Sequence, residues 1–230
     1  MDLKPEVIFN EKSLKVLLEG YGWTIVITVL ALAIGILVGT LLALCKVLPK
    51  TNFLNKALSR FADGYIAIIR GTPLVVQLMI IYFIIFANVT LFSRNVSSYF
   101  IATIGFGLNS AGYVAEIIRS GILSVDKGQA EAGRALGLSY SKTMRKIILP
   151  QAIKNILPPL GNEAIMLVKE TSIATVIGVS EFFSEIELLA GRRFNIVTPY
   201  LFAAIVYFIT VMIMARLLKL LEKRLRKSER

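Results

Sequence analysis

The sequence contains no histidine and a single cysteine, Cys45. Without histidine the chain lacks the commonest general base and the commonest zinc ligand. One cysteine excludes an internal disulfide and any cysteine-based metal cluster. Charged residues make up only 18% of the 230 positions, where a soluble domain carries about a quarter. The phosphate loop G-x-x-x-x-G-K-[ST] is also missing, so any ATP hydrolysis serving this chain belongs to another polypeptide. No catalytic residue, metal site or cofactor is expected in this chain.

What is present is apolar. Hydrophobic residues are 56% of the chain, and they come in runs long enough to cross a bilayer, which takes about 20 residues of helix. Five spans are expected: Trp23–Cys45, Phe61–Phe86 interrupted by Arg70-Gly71-Thr72-Pro73, Tyr99–Ile118, a fourth from Pro158-Pro159 to Val179, and Pro199–Leu218. No small-residue cleavage site follows the first, so it reads as a retained span and not a signal peptide. Asn10–Glu19, with Leu14, Leu17 and Leu18 among charges, reads as a short interfacial helix. Gly35 and Gly39 form a G-x-x-x-G pair, expected to serve packing inside the subunit. Asn88-Val89-Thr90 and Asn95-Val96-Ser97 fit the glycosylation pattern by chance.

The net charge of +11 raises the question of nucleic acid, and its distribution answers it. With the amino terminus outside, the outer segments hold Lys4, Lys12, Lys15, Arg94, Arg192 and Arg193. The inner segments hold nineteen lysines and arginines against those six. That asymmetry is the positive-inside bias of a membrane protein, amino terminus out and carboxyl terminus in. No nucleic-acid partner is expected. The basic tail Arg216–Arg230 reads as an inner anchor drawn to anionic lipid headgroups.

The inner stretch Arg119–Pro158 is too long for a bare turn. Ser124–Leu136 suits one short helix, with Asp126 near its start. Gly137 permits a reversal, Ser139 suits the cap of a second helix over Tyr140–Leu149, and Pro150 limits its continuation. Two short helices at an angle would project from the membrane, a shape suited to a partner's groove.

Glu131-Ala132-Gly133, Gly137 and Ile147-Ile148-Leu149-Pro150 fit E-A-A-x3-G-x9-I-x-L-P, the signature of permeases of binding-protein-dependent ABC importers, with glycine where the third position is usually alanine. Arg70-Gly71-Thr72-Pro73-Leu74, Ala115-Glu116-Ile117-Ile118-Arg119, Pro159-Leu160-Gly161-Asn162-Glu163 and Lys169-Glu170-Thr171-Ser172 resemble the polar amino acid branch of that family. The resemblance covers nearly the whole chain, taken as one transmembrane domain over residues 1–230. It implies an all-α protein of five transmembrane helices, working by alternating access in a bacterial inner membrane. It also implies that Glu131, Ala132, Gly133, Gly137, Leu149 and Pro150 lie at or near a coupling contact with an ATP-binding cassette ATPase. The partners would be that ATPase with its ATP and Mg, a second permease copy (identical or a close paralogue) and an external solute-binding protein.

Polar groups at membrane depth are costly and face a bundle interior or a wet cavity. Pro73 leaves the Ile69 carbonyl without an intrahelical donor, and a broken helix at depth is tolerated where it lines a cavity. Ile69, Thr72, Gln77, Asn109, Ser110, Asn162 and Glu163 are therefore the candidate substrate groups. Glu163 needs a cation, either a bound arginine, lysine or histidine or an internal partner such as Lys169; Glu170 lies on nearly the same face. Glutamine or glutamate remain alternative cargoes. Glu116 and Arg119, three apart, suit a structural or gating pair. Ser180–Leu189, with Glu181, Glu185 and Glu187, reads either as a short helix at the outer mouth or as a solvated turn. An embedded enzyme has no nucleophile with a partner base. An ion-coupled secondary transporter commonly shows internal repeats, and none is visible.

Overall fold

In the computed structural model, residues 6, 8–49, 51–87, 90, 91, 94, 95, 97–193 and 196–227 are described. The two glycosylation-like patterns, Lys4, Lys50 and the last three residues of the basic tail lie wholly or partly outside them. Helix α1 runs over Glu11–Val47, 37 residues without a break. Asn10 caps it, its side chain accepting the Ser13 N–H at 3.0 Å. The expected interfacial helix is thus the first turns of α1. Gly20 stays helical where the chain packs on the backbone of Glu181.

Helix α1 packs most extensively on α4, Ser98–Leu123. A Cβ on Gly35 would stand 2.7 Å from the Ser110 hydroxyl, and one on Gly39 2.8 Å from Val114. The G-x-x-x-G pair is therefore a seam within the subunit, as expected. Helices α2, Phe53–Gly71, and α3, Leu74–Ile85, meet at Thr72-Pro73 with a bend of 109°, which is the break expected from Pro73. Thr90–Leu91 and Arg94–Asn95 form a small antiparallel pair, Thr90 opposite Asn95.

Beyond α4, α5 covers Lys127–Ala135 and a second short helix starts at Tyr140. Helix α6, Tyr140–Thr143, widens into a π turn over Met144–Ile148 and continues as α7, Leu149–Glu170. Two expectations are corrected here. Pro150 does not stop the helix, because the wide turn, with Leu149 N–H bonded to the Met144 carbonyl, precedes it and relieves the clash a proline ring makes with the preceding turn. The fourth segment does not begin after Pro158-Pro159 either; both prolines lie inside α7. It ends at Glu170, and a 3-10 turn over Thr171–Ile177 closes on Gly178 at φ +75°.

Helix α8, Phe182–Arg193, buries Phe182, Ile186 and Ala190. Helix α9, Val197–Lys227, exposes Leu201, Phe208 and Leu217 along its length, an apolar surface that suits lipid. Among the described residues, three helices (α1, α4 and α9) are long and apolar enough to cross a membrane, and the bent α2–α3 pair makes up to four. One core cluster (Ile27, Ala31, Leu78, Phe106, Leu167, Ile177) joins α1, α3, α4, α7 and the 3-10 turn. Helix α4 is the hub around which the polar residues gather.

Candidate functional site

The bend at Pro73 is satisfied locally. Gln77, one turn into α3, donates through Nε2 to the Ile69 carbonyl at 2.9 Å, the Thr72 hydroxyl at 2.8 Å and the Thr72 carbonyl at 3.1 Å. Its Oε1 accepts from Asn109 Nδ2 at 2.9 Å. The structure therefore brings Ile69, Thr72, Gln77 and Asn109 into one network. Asn109 is buried in α4 at 5% exposure, so its amide depends on that partner.

The next residue reaches a different neighbour, because consecutive helix positions differ by about 100°. The Ser110 hydroxyl donates to Glu163 Oε1 at 2.7 Å. Glu163 sits on α7, 9% exposed, and among the described residues no lysine or arginine forms an ion pair with it. Lys169 is exposed and is not its partner. Asn162, beside Glu163, is exposed and joins neither network. Six of the seven candidate groups are thus gathered at Asn109–Ser110 of α4, and Asn162 is not.

Glu116 and Arg119 pair as their spacing suggests, with Arg119 Nε donating at 2.8 Å. Lys46 at the end of α1 adds to this pair, 3.3 Å from Glu116 and 3.0 Å from Asp63 of α2. Sequence reasoning missed Lys46 and Asp63. An acidic residue alone in the middle of α2 was the available signal. Arg70 lies over the Tyr113 ring at 5.6 Å.

The projecting loop has the expected caps. Asp126 accepts the Gly128 N–H at 2.7 Å to start α5, and Ser139 accepts the Lys142 N–H at 3.4 Å to start α6. Gly137 takes φ +71°. The Leu138 N–H bonds to the Gly133 carbonyl and the Gly137 N–H to the Arg134 carbonyl, the Schellman pattern that a residue with positive φ closes. Gly133 is buried where a Cβ would lie 2.6 Å from Thr143. That contact is why glycine stands at the third signature position: α5 and α6 approach too closely for alanine. Glu131 and Ala132 are exposed on α5; Leu149 is half-buried and Pro150 exposed at the base of α7. Leu136 stands 77% exposed at the turn, an apolar tip the sequence reading passed over.

On the opposite side of the bundle, Ser180–Leu189 is not a solvated turn. Glu181 is fully buried; it accepts from the Thr24 hydroxyl and from the Ser184 N–H, each at 2.9 Å. The alternation of acidic and apolar residues concealed this, since burial here comes from α1 and α9 packing over α8.

A helical bundle crossed by polar networks, with a rigid two-helix loop projecting from one side, defines a membrane transport subunit. Residues 31–227 match the model of the binding-protein-dependent transport system inner membrane components. The chain belongs to that family. It is 39% identical over 213 residues to the arginine transport system permease protein ArtQ of Bacillus subtilis, covering 93% of this chain and 94% of that one. It is 36% identical over 214 residues to the glutamine transport system permease protein GlnP of Escherichia coli, with coverage of 93% and 94%. A solved amino acid ABC transporter with histidines matches at TM-score 0.87 and 37% identity, over 97% of this chain and 100% of that one. The inward-facing methionine transporter MetNI, at 19% identity and TM-score 0.71 over 92% of this chain and 98% of that one, shares the fold.

Proposed function

We propose that the chain is the membrane-spanning subunit of an ATP-driven importer of basic amino acids, working by alternating access. The observation that carries this reading is Glu163, a buried carboxylate hydrogen-bonded to Ser110 and without a cationic partner among the described residues. A buried charge is stable only when it is paired, and the ammonium, guanidinium or imidazolium of a cationic substrate supplies the missing partner. Ile69, Thr72, Gln77, Asn109 and Ser110 surround the α-amino and α-carboxyl groups, and Asn162, exposed on α7, stands outside that cluster. The relative named for arginine and the solved transporter with histidines support a cationic cargo. Those named for glutamine support the second reading, a neutral amide cargo.

In this reading the chain is one domain over residues 1–230 of a bacterial inner membrane. It has five spans: α1, the α2–α3 pair, α4, α7 and α9. The amino terminus is outside and α5 and the carboxyl terminus are cytoplasmic. The loop bearing Glu131, Ala132, Gly133 and Gly137, with Leu136 at its tip and Leu149 and Pro150 at its base, docks on a partner ATPase that holds ATP and Mg. Two permease copies and two ATPases form the complex, and an external solute-binding protein delivers the amino acid. ATP binding closes the ATPases and opens the cavity outward, and hydrolysis returns it inward.

The test is substrate-stimulated ATPase activity of the reconstituted complex with its binding protein. Arginine, lysine or histidine should stimulate it, and Glu163→Gln, which keeps an acceptor for Ser110, should weaken the substrate response by about thirtyfold or more, the least expected from removing one partner of a buried charge pair. Stimulation by glutamine that Glu163→Gln leaves unchanged would overturn the cationic cargo and make Glu163 structural.

A further inference from the structure

Arg70 takes no part in the hydrogen-bond networks described above. It stands in the last turn of α2, just before the bend, with its guanidinium over the Tyr113 ring at 5.6 Å. A ring face attracts the charge but leaves the five N–H donors of a guanidinium without acceptors. Among the described residues the ion-paired carboxylates are Asp63 and Glu116, and their partners are Lys46 and Arg119. Arg70 is exposed, and a Cβ on its neighbour Gly71 would meet nothing within 4 Å. Open space therefore adjoins the guanidinium.

Helix α4 fixes where that guanidinium sits. Ile69, the residue before Arg70, packs so closely on Gly112 that a Cβ there would stand 2.7 Å from Ile69 Cγ2. The Tyr65 hydroxyl donates to the Leu108 carbonyl at 2.7 Å. These contacts seat the end of α2 on α4 and bring Arg70 to Tyr113. At about 100° per residue, Tyr113 points between Asn109 and Ser110 and lies one turn further along the same side of α4. Asn109 leads to Gln77 and the bend, Ser110 to Glu163, and Tyr113 to Arg70. A cation and a carboxylate, neither in an ion pair among the described residues, are thus carried by positions about 5 Å apart along one helix. A basic amino acid has the complementary pair, an α-carboxylate and a side-chain cation.

We infer that Arg70 binds the α-carboxylate of the transported amino acid, donating two parallel N–H bonds to its oxygens while the Tyr113 ring backs the guanidinium. The fork of a guanidinium matches a carboxylate in this way. The inference rests on the importer reading and divides its site into two parts. Arg70 answers the carboxylate that every amino acid carries, and Glu163 answers the side chain.

The test is equilibrium binding to the purified permease–ATPase complex without its binding protein, comparing arginine with agmatine, the same molecule lacking the carboxylate. The wild-type complex should hold arginine about tenfold more tightly or better, the least that a hydrogen bond to a charged group contributes. Arg70→Gln should remove most of that preference, and Arg70→Lys should restore part of it. Equal binding of the two ligands by the wild type overturns the inference even if no variant folds. So does an Arg70→Gln complex that binds both more weakly but keeps the preference, which is the mark of a structural role. Failure of the cationic cargo is read separately. If glutamine binds and arginine does not, 4-aminobutanamide, which is glutamine without its carboxylate, takes the place of agmatine and the same loss of preference is expected. A complex that binds neither amino acid overturns both readings.

Discussion

Pro73 takes one donor out of the α2–α3 backbone, and Gln77 supplies the replacement from its side chain. The same amide anchors Asn109, so a single residue links the bend to the hub helix. Gln77→Leu strands the Ile69 carbonyl and the Asn109 amide together. A buried polar group left unpaired costs about 1–3 kcal/mol, and the purified variant should unfold at a lower temperature than the wild type. An unchanged unfolding temperature would mean that the network contributes little to stability and is held for a ligand. Most of these residues were legible in the sequence as polar letters in apolar runs. Their partners were not, because Asn109 and Ser110 are neighbours in the chain yet reach α3 and α7 respectively. The choice of Ser110 over Lys169 for Glu163 follows from how α4 and α7 face one another, which spacing along α7 does not contain.

Among the elements, the projecting loop was the most legible, since its helix starts, its reversal and its caps are all written in local chemistry. Asp126, Gly137 and Ser139 act within three or four residues of themselves. The angle between α5 and α6 is a packing matter and depends on Gly133 against Thr143. Gly133→Ala pushes the two helices apart and should lower substrate-stimulated ATPase activity severalfold, while Gly133→Ala with Thr143→Ala should restore much of it. Failure of the second change to rescue the first would show that the contact does not set the angle. Helix ends were less legible. The sequence suggested a stop at Pro150 and a fresh start after Pro158-Pro159, whereas the widened turn before Pro150 and the packing of α7 on α4 carry one helix through both. Local propensity loses there to tertiary contact.

For the molecule as a whole, the proposed arrangement of spans has a direct check, made simple by the single Cys45. In a Cys45→Ser background, cysteines replacing Lys142 on α6 and Lys219 on α9 should react with an impermeant maleimide only in inside-out vesicles. One replacing Lys15 should react only in right-side-out cells, and labelling of Lys142 and Lys15 positions from the same side would remove the topology. Composition, the basic asymmetry and the spacing of the loop signature determined from the sequence alone that this is a helical membrane subunit with a two-helix loop between its spans. These properties are additive over residues or local in the chain, so a one-dimensional reading captures them. The tertiary structure alone decided that Glu181 is buried beneath α1 and α9, that Lys46 joins Asp63 to Glu116, and that Glu163 answers to Ser110. Each depends on which helix faces which, and that is settled by close approach at positions such as Gly35 and Gly39, where the absence of a side chain has meaning only once the opposing surface is in place.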